Sequence, residues 1–437
     1  MNDNYNRLKK RISDIQGLEV TEISNDEASC LITYDDTFMD PVCPYDDTRL
    51  TPRPFLKPRV VTDLLDMRSG QTVEVLYRQR RYRCPTCGRD MSCESPYIRQ
   101  GSKITRALED YIGDAALYDT YDAVANRVRC VSKVQVKRIF EDWSKKQIND
   151  YMIDLMAPKH LGVHIVGNST NQYLLLSDLS KNHLLDIMPL SASSMLLTLL
   201  LRFAAQEITR GVCTEIDSES LAPVRSVYEA SPDVDVSVAR ASVYKAYAAA
   251  VHDAVATHYS KKEKKKLLLR MILTPLTEGL IQKDVDEMKR LADQEPMMDM
   301  GRWIEHLITI RQMVQDDKWD KVGYQSWKYS IASIREREIE DLVRYLTFAD
   351  PEIQCGLKSP DLQKKHERIT ERANYFITLN SHCSFDILRA RVLLTINPTW
   401  SERVVGYQTV KACAGIDMDS LIDRMEQILL GGILDYD

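Results

Sequence analysis

The stretch that decides the fold runs from His160 to Asp178 and reads HLGVHIVGNSTNQYLLLSD. Two apolar runs, 161–166 and 173–178, lie on either side of the polar residues 167–171. Apolar runs of this length, separated by Gly, Asn and Ser, predict two adjacent strands joined by a turn.

The residues that follow continue this pattern. Residues 183–188 predict a third strand, and the apolar segment 193–208 predicts a buried helix. Residues 211–216 predict another short strand that ends next to Asp217. Strands that alternate with helices indicate an α/β core, and the helical periodicity from 238 to 395 predicts a long, almost entirely helical region after it.

Length and composition limit the class of protein. The chain has 437 residues, more than one hydrophobic core usually organises, so several domains are expected. Its 44% hydrophobic and 28% charged residues are typical of a folded globular protein and exclude a disordered or fibrous one. A formal net charge of -6 excludes a uniformly basic, nucleic-acid-coating surface.

The sequence predicts a cytoplasmic protein without a membrane segment. Its most apolar stretch, Met195 to Leu201, falls well short of the roughly 20 residues that span a bilayer. The first residues, MNDNYNRLKK, lack the apolar region of a secretory signal. The ten cysteines are therefore expected to be thiols or metal ligands and not disulfides.

A small β-containing unit is predicted near the N-terminus. Residues 27–34 and 71–82 alternate between apolar and polar side chains, as strands with one buried face do, and several prolines separate the two segments. The second predicted strand leads directly into Cys84.

The cysteine spacing predicts a zinc-ribbon-like module. Two thiolates three residues apart can grip one face of a tetrahedral zinc ion, and both Cys84-Pro-Thr-Cys87 and Cys43-Pro-Tyr-Asp46 have this spacing. Cys93 is an alternative ligand nearby. The open alternative is a ribbon that folds around its apolar residues and keeps free thiols.

Positive charge concentrates around this module. Residues 49–106 contain thirteen Lys and Arg and five Asp and Glu, a local net charge of +8 in an acidic protein. Such a surplus favours a polyanion, because each neutralised phosphate releases counterions, although a solvated face is the alternative. The expected DNA contacts in this module are Arg78, Arg80, Arg81 and Arg83.

Residues 120–140 predict a helix-turn-helix. Small and apolar residues recur at helical spacing on both sides of Ser132, which suits the N-cap of the second helix. The Val136 and Ile139 side chains of that helix would pack into the interior. The expected DNA-binding residues of this segment are Ser132 and, facing the groove, Lys133, Gln135, Lys137 and Arg138. Any pair of amphipathic helices can mimic this pattern, so two ordinary helices remain the alternative.

The order of these parts resembles the ISL-three-type insertion-sequence transposases of bacteria, from about Cys43 to Leu394. The strand Arg80-Arg81-Tyr82-Arg83-Cys84 is similar to theirs. The C-terminal Glu371-Arg-Ala-Asn374 and the helix Ser384-Phe-Asp-Ile-Leu-Arg-Ala-Arg resemble the family's Glu-x-x-Asn and Phe-x-x-Leu-Arg-x-Arg elements. The resemblance implies an RNase H-like core with a catalytic Asp, Asp, Glu set and a helical insertion before the Glu.

Carried onto this chain, the resemblance implies Asp217 as the second acid and Glu371 as the third. The first position holds His164, within Gly162-Val-His-Ile165, where the family has Gly-Ile-Asp-Glu. The family's Asp-Arg-Phe-His element likewise corresponds to Ala239-Arg-Ala-Ser242.

These changes affect the metal chemistry. Transfer of a phosphoryl group between DNA strands uses two hard cations held by carboxylate oxygens, and a nitrogen donor shifts preference from Mg²⁺ toward transition metals. Mg²⁺ is therefore implied only if the core is active. Asp178 on the neighbouring strand is a possible substitute carboxylate. Alternatively, His164 is a satisfied core residue, and Asp217 and Glu371 are ordinary surface or capping carboxylates.

The predicted fold class is a multidomain α+β protein with a zinc-ribbon-like module, a helix-turn-helix, an RNase H-like α/β core and a large all-α insertion. The predicted segments are 1–100 for the zinc-ribbon-like module, 101–157 for the helix-turn-helix, 158–245 for the first part of the core, 246–365 for the insertion and 366–437 for the C-terminal helices that complete the core.

Two functions are expected from this organisation. One is a transposase-type protein that binds double-stranded DNA as a homodimer or larger assembly and has impaired or lost strand transfer. The other is a domesticated, inactive regulator or assembly partner that also contacts another protein.

Overall fold

The computed structural model describes residues 2–23, 29–66, 69–153, 155–167, 171–229, 231–258, 300–316 and 318–397, with four further positions between 283 and 290. The described residues up to Met152 form one compact unit, unit 1, and those from Ile153 onward form a second, unit 2. The C-terminal part of the predicted segment 366–437 and most of residues 259–299 in the predicted insertion lie outside the described residues.

Unit 1 begins with a helix and a four-stranded sheet. The first elements in chain order are α1 (Asn2–Ile12), β1 (Leu18–Ile23), β2 (Ser29–Tyr34), β3 (Thr51–Arg53), β4 (Arg59–Asp66) and β5 (Gln71–Gln79), and all of these strands except β3 belong to this sheet. The order in the sheet is β1-β2-β5-β4, with β2 and β5 parallel and the other pairs antiparallel. Leu8 and Ile12 of α1 join Ile32, Val61 and Val75 of the strands in one apolar core.

A second, three-stranded sheet follows, made of β3, β6 (Arg81–Arg83) and β7 (Asp90–Met91) in the order β3-β6-β7. The sequence predicted a single strand over 71–82, and the structure divides it at Arg80. The division occurs because β5 pairs within the first sheet and β6 pairs within the second. Its effect is that β6 leads straight to Cys84.

Three helices complete unit 1: α2 (Arg106–Tyr118), α3 (Tyr121–Val128) and α4 (Lys133–Ile153). Thr105 caps α2 by accepting the Leu108 N–H, and Thr120 caps α3 by accepting the Ala123 N–H. Both threonines use the side-chain oxygen to satisfy an N–H that has no partner within the helix.

Unit 2 contains a five-stranded mixed sheet of β8 (His160–Gly167), β9 (Gln172–Asp178), β10 (His183–Pro189), β11 (Gly211–Thr214) and β12 (Asp235–Val238). The order is β10-β9-β8-β11-β12. The first three strands form antiparallel pairs, whereas β11 is parallel to both β8 and β12. Each strand that the sequence predicted in this region is present. The predicted helix 193–208 is shorter and ends at Ala204.

The helices of unit 2 are α5 (Ser193–Ala204), α6 (Ser218–Tyr228), α7 (Arg240–His258), α8 (Met300–Gln315), α9 (Lys321–Ile331), α10 (Arg337–Phe348), α11 (Asp350–Gly356), α12 (Pro360–Leu379) and α13 (Phe385–Ile396). The α12 helix packs on β8 and β11, and α13 packs on β10. The α7–α11 helices share a core rich in aromatic rings, including Tyr247, Trp303, Tyr324 and Trp327.

The architecture is therefore mixed α+β, as the sequence predicted, with a cysteine cluster in unit 1. In the described part of the chain, every helix is too short or too polar to cross a lipid bilayer.

Candidate functional site

Two turns of matching geometry bring the predicted metal ligands of unit 1 together. In the first, the Cys43 N–H donates to the Thr48 carbonyl, and the Cys43 carbonyl accepts the Asp47 N–H. In the second, the Cys84 N–H donates to the Arg89 carbonyl, and the Cys84 carbonyl accepts the Gly88 N–H. Asp47 and Gly88 both have the left-handed backbone that such a turn requires, with φ of 54° and 68°.

The ligand atoms of Cys43, Asp46, Cys84 and Cys87 all lie within 4.8 Å of one another. The Cys43 and Cys87 sulfurs are 3.8 Å apart, and an Asp46 carboxylate oxygen is 3.3 Å from the Cys84 sulfur. The Cys87 N–H donates to the Cys84 sulfur at 3.3 Å, a contact that stabilises a thiolate. The four predicted residues therefore form a cluster that can hold a metal ion, and their donor set suits zinc.

The alternative ligand Cys93 lies outside this cluster. It is half-buried, and burial together with the Asp36 carboxyl raises the pKa of its thiol to about 12. Within the cluster, burial raises the pKa of Cys43 to about 11, whereas backbone hydrogen bonding at Arg89 lowers that of Cys87. Without a cation, the buried thiol therefore holds its proton more strongly than the exposed one.

The four arginines predicted to contact DNA occupy different environments. Arg78 and Arg80 place their guanidinium groups 4.9 and 3.8 Å from the Phe55 ring centre, and Arg80 also forms a salt bridge with Asp35. Arg81 is half-buried, whereas Arg83 is exposed. The first two arginines are thus partly engaged within the protein, and Arg83 is the most open to solvent.

Helices α3 and α4 are joined by a tight turn in which Arg129 has a left-handed backbone, with φ of 57°. Ser132 and Gln135 then form a reciprocal cap on α4: the Ser132 N–H donates to the Gln135 side-chain oxygen at 2.8 Å, and the Gln135 N–H donates to the Ser132 hydroxyl at 3.4 Å. Gln135 therefore uses its side-chain oxygen for capping, whereas the sequence predicted only that it faces DNA.

The outer face of α4 carries the predicted basic residues. Lys133, Lys137 and Arg138 are exposed, whereas Val136 is buried as predicted and Ile139 is half-buried. Lys133 pairs with Asp122, and Lys137 lies 3.8 Å from Glu141. Both pairs are exposed, so they contribute little to stability and a phosphate can compete with them.

An open cleft of about 600 Å³ lies at the start of this helix, lined by residues that include Asn126, Arg129, Ser132 and Lys133. The first N–H groups of a helix and its positive dipole end attract anions. The cleft therefore combines a helix N-terminus with two cationic side chains and with the Asp122 carboxylate that pairs with Lys133.

In unit 2, His164 lies next to two residues that the sequence pattern did not predict as ligands. His164 on β8, Glu215 just after β11 and His366 on α12 are all buried, and each offers a ligand atom within 4.8 Å of the other two. The two imidazole rings are stacked, with centres 3.9 Å apart. Burial lowers the pKa of both histidines, so both rings are neutral near pH 7.

The predicted acids lie elsewhere. Asp217 is exposed and caps α6, where its carboxylate accepts the Glu219 N–H at 2.8 Å. Glu371 is half-buried on α12, but the residue of that helix that bonds to His164 is Thr370. Asp178 is buried, and its carboxylate accepts the N–H groups of the turn after β9. The grouping around His164 therefore contains none of these three carboxylates.

Weak signals for the two missed residues exist in the sequence. Glu215 is two positions before Asp217, and the choice between them depends on where β11 ends. His366 shares the buried face of α12 with Ile369, Thr370 and Ala373, at helical spacing. A histidine on such a face is a candidate ligand only when a partner is known to lie opposite it.

Comparison with known proteins gave no relative from which to transfer a function: no family model, no curated protein and no solved structure matches this chain.

Proposed function

We propose that this protein binds double-stranded DNA through unit 1, as a relative of the ISL-three-type transposases that does not carry out Mg²⁺-dependent strand transfer. The observation that carries the proposal is the exposed basic face of α4, where Lys133, Lys137 and Arg138 follow a tight turn and a capped N-terminus. A short helix, a tight turn and a longer helix with a basic outer face form a helix-turn-helix arrangement that suits a DNA major groove.

The cysteine module supports the same proposal. Arg83 is exposed on the strand that enters Cys84, and Arg89 stacks on the Tyr45 ring at 4.2 Å, beside the metal-ligand turns. Zinc at Cys43, Asp46, Cys84 and Cys87 would fix these two turns and therefore the position of the neighbouring cations. We propose zinc as the metal because three thiols and one carboxylate match its ligand preference.

The proposal of an RNase H-like core rests on the order of the strands in unit 2. The first strand, β8, lies in the middle, with the antiparallel β9 and β10 on one side and the parallel β11 and β12 on the other. In this arrangement, the middle of β8, the end of β11 and α12 converge. The residues at that convergence are His164, Glu215 and His366.

This donor set argues against two-metal chemistry. Two neutral imidazoles and one carboxylate provide too few oxygen ligands to hold two Mg²⁺ ions, and none of the three residues is more than 5% exposed. The protein would therefore act by holding DNA as a regulator or assembly partner, and a dimer would allow it to hold two sites. A strand-transferring enzyme is the competing proposal.

DNA binding is testable with the full chain and a fluorescently labelled duplex of arbitrary sequence, followed by anisotropy at 50 to 200 mM salt. We expect binding that weakens steeply with salt, and Lys137→Ala and Arg138→Ala should each lower the slope of log affinity against log salt by about 1. Lys321→Ala, an exposed lysine of α9 in unit 2, is the matched control and should leave the slope unchanged.

A salt-independent signal, or equal effects of all three substitutions, would contradict the role of α4. The proposed lack of strand transfer is tested separately. Incubation of the protein with supercoiled plasmid in Mg²⁺ or Mn²⁺ should yield neither nicked nor joined DNA. Efficient cleavage that the Glu215→Gln substitution abolishes would instead support the strand-transferring enzyme.

A further inference from the structure

The Glu215 side chain is a largely buried carboxylate whose charge acts on the neighbouring His366 ring. Glu215 is 5% exposed, and its backbone carbonyl accepts the Ser220 hydroxyl. Among the described residues, its carboxylate oxygens receive no hydrogen bond and form no salt bridge. A buried charge in this state is costly, and proteins normally compensate it with a cation or with several hydrogen-bond donors.

His366 lies beside Glu215 and has one ring nitrogen without a hydrogen-bond partner among the described residues. Its Nε2 lies 3.2 Å from the Val163 carbonyl, which can only accept, so Nε2 carries the proton and donates it. The Nδ1 atom then carries no proton and has a free lone pair. It is buried without a hydrogen-bond partner among the described residues. A histidine oriented by a backbone carbonyl on one nitrogen, with the other nitrogen free, is the usual state of a metal ligand.

The tautomer of His164 follows from its two hydroxyl neighbours. Thr370 donates its only hydroxyl proton to the His366 carbonyl at 2.8 Å, so it accepts a proton from His164 Nδ1. The Nε2 atom of His164 is therefore the acceptor that faces the Ser177 hydroxyl at 2.7 Å. A cation can therefore reach the Nε2 lone pair only when the Ser177 side chain turns its oxygen away to another rotamer.

Gly162 contributes the space for this arrangement. A Cβ atom at residue 162 would lie 2.4 Å from the Ser177 hydroxyl oxygen and 2.6 Å from His164 Nε2. Any larger residue at this position would therefore displace the Ser177 hydroxyl and the His164 ring.

We propose that His164, Glu215 and His366 bind one divalent transition-metal ion, of which zinc is the first candidate. Two neutral imidazoles and a carboxylate are a ligand set that zinc accepts and that Mg²⁺ and Ca²⁺ disfavour. The ion would fasten β8, the end of β11 and α12 to one another, and it would balance the charge of Glu215. The proposal is independent of DNA binding and of the cysteine cluster.

The test uses the full chain after removal of all metal, reloaded with Zn²⁺ and freed of excess metal, with bound zinc counted by elemental analysis. We expect the wild type to retain one more equivalent than either Glu215→Gln or His366→Gln. Glu219→Gln is the matched control, because Glu219 is exposed on the neighbouring α6, and it should retain the wild-type count. Excess Mg²⁺ should displace none of this zinc.

Loading with Co²⁺ separates the two clusters without relying on the stability of the unit 2 variants. In Cys84→Ser, which disables the cysteine cluster, we expect absorption from cobalt with nitrogen and oxygen ligands and no thiolate charge-transfer band. Absence of this cobalt signal would overturn the proposal, as would an unchanged zinc count in Glu215→Gln. A nitrogen NMR signal showing a protonated His366 Nδ1 in the metal-loaded protein would also overturn it, because that atom would then have no lone pair for a metal ion.

Discussion

The Arg389 side chain lies within the sequence element that resembles a family motif, and the structure gives it a packing role. Its guanidinium donates to both oxygens of Asp186 at 2.8 and 3.0 Å, and the Asp186 side chain is fully buried on β10. The bond therefore ties α13 to the edge of the sheet. A two-point contact of this kind is rigid because guanidinium and carboxylate geometries match.

Removing this partner should be costly. We expect Arg389→Met to lower the free energy of unfolding of unit 2 by about 3 to 5 kcal/mol, because it leaves the Asp186 charge buried and unpaired. Arg344→Met is the matched control: Arg344 pairs with Asp341 on the surface, so its loss should change stability by less than about 1 kcal/mol. Denaturant unfolding of both variants measures the difference, and similar losses would contradict this role of Arg389.

Asp114 on α2 gives unit 1 a defined pH dependence. Burial raises the pKa of its carboxyl to about 6. The folded protein therefore binds a proton at Asp114 more tightly than the unfolded chain does. Stability from this group is fully present below about pH 4 and is lost as the pH rises through about 6.

The Asp114→Asn substitution should remove that loss. We expect the variant to match the wild type near pH 4 and to exceed it at pH 7 by on the order of 2 kcal/mol. Urea unfolding at both pH values, followed by spectroscopic signals from unit 1, measures the difference in the free energy of unfolding. A carbon NMR titration of the Asp114 carboxyl is the direct check. A carboxyl midpoint near pH 4 would contradict the assignment.

At the scale of secondary-structure elements, the start of α4 combines two roles in the same few residues. Ser132 and Gln135 close the cap, and Lys133 and Lys137 lie exposed beside it. The cap fixes the direction in which the helix leaves the turn, so it controls where its basic face points.

We expect Ser132→Ala to destabilise unit 1 by about 1 kcal/mol, because the Gln135 N–H loses its acceptor. If α4 binds DNA, the same variant should weaken duplex binding. It should leave the slope of log affinity against log salt unchanged, since no cation is removed. Ser132→Asp, which preserves a capping oxygen, is the control for stability. Thermal unfolding and anisotropy give the two readouts, and an unaltered melting temperature in Ser132→Ala would exclude the capping role.

At the scale of the whole molecule, the two units depend on different sources of stability. The three-stranded sheet of unit 1 has a small apolar core of Cys43, Leu50, Tyr82 and Cys84, with Met91 and Cys93 at its edge. Two of its four buried members, Cys43 and Cys84, belong to the cysteine cluster. Unit 2 has an extensive helical core that includes Tyr247, Trp303 and Trp327.

Disabling the cysteine cluster should therefore have a local effect. We expect Cys84→Ser to accelerate amide hydrogen exchange in residues 43–50 and 81–91 at least tenfold, which corresponds to about 1.4 kcal/mol, and to leave the strands of unit 2 unchanged. Cys130→Ser, a half-buried cysteine of unit 1 outside the cluster, should leave both regions unchanged. Hydrogen exchange with mass spectrometry measures this, and slowed or uniform changes would argue against a structural metal.

The sequence by itself determined the local features. Apolar runs on either side of a polar turn located the strands around His164 and Asp178, and helical periodicity located α4 and its buried Val136. The repeated spacing of Cys43, Asp46, Cys84 and Cys87 identified a cluster that the structure brings together. These features depend on residues that are close in the chain or on a spacing that has a chemical reason, so a single sequence is sufficient to predict them.

Only the tertiary structure decided which residues meet at His164. Glu215 and His366 come from segments far apart in the chain, and the packing of α12 against β8 and β11 selected them over Asp217 and Glu371. The same packing gave Arg78 and Arg80 their contacts with Phe55. The physical reason is that a side chain's partner depends on strand register and helix rotation, and a shift of one residue turns it to the opposite face.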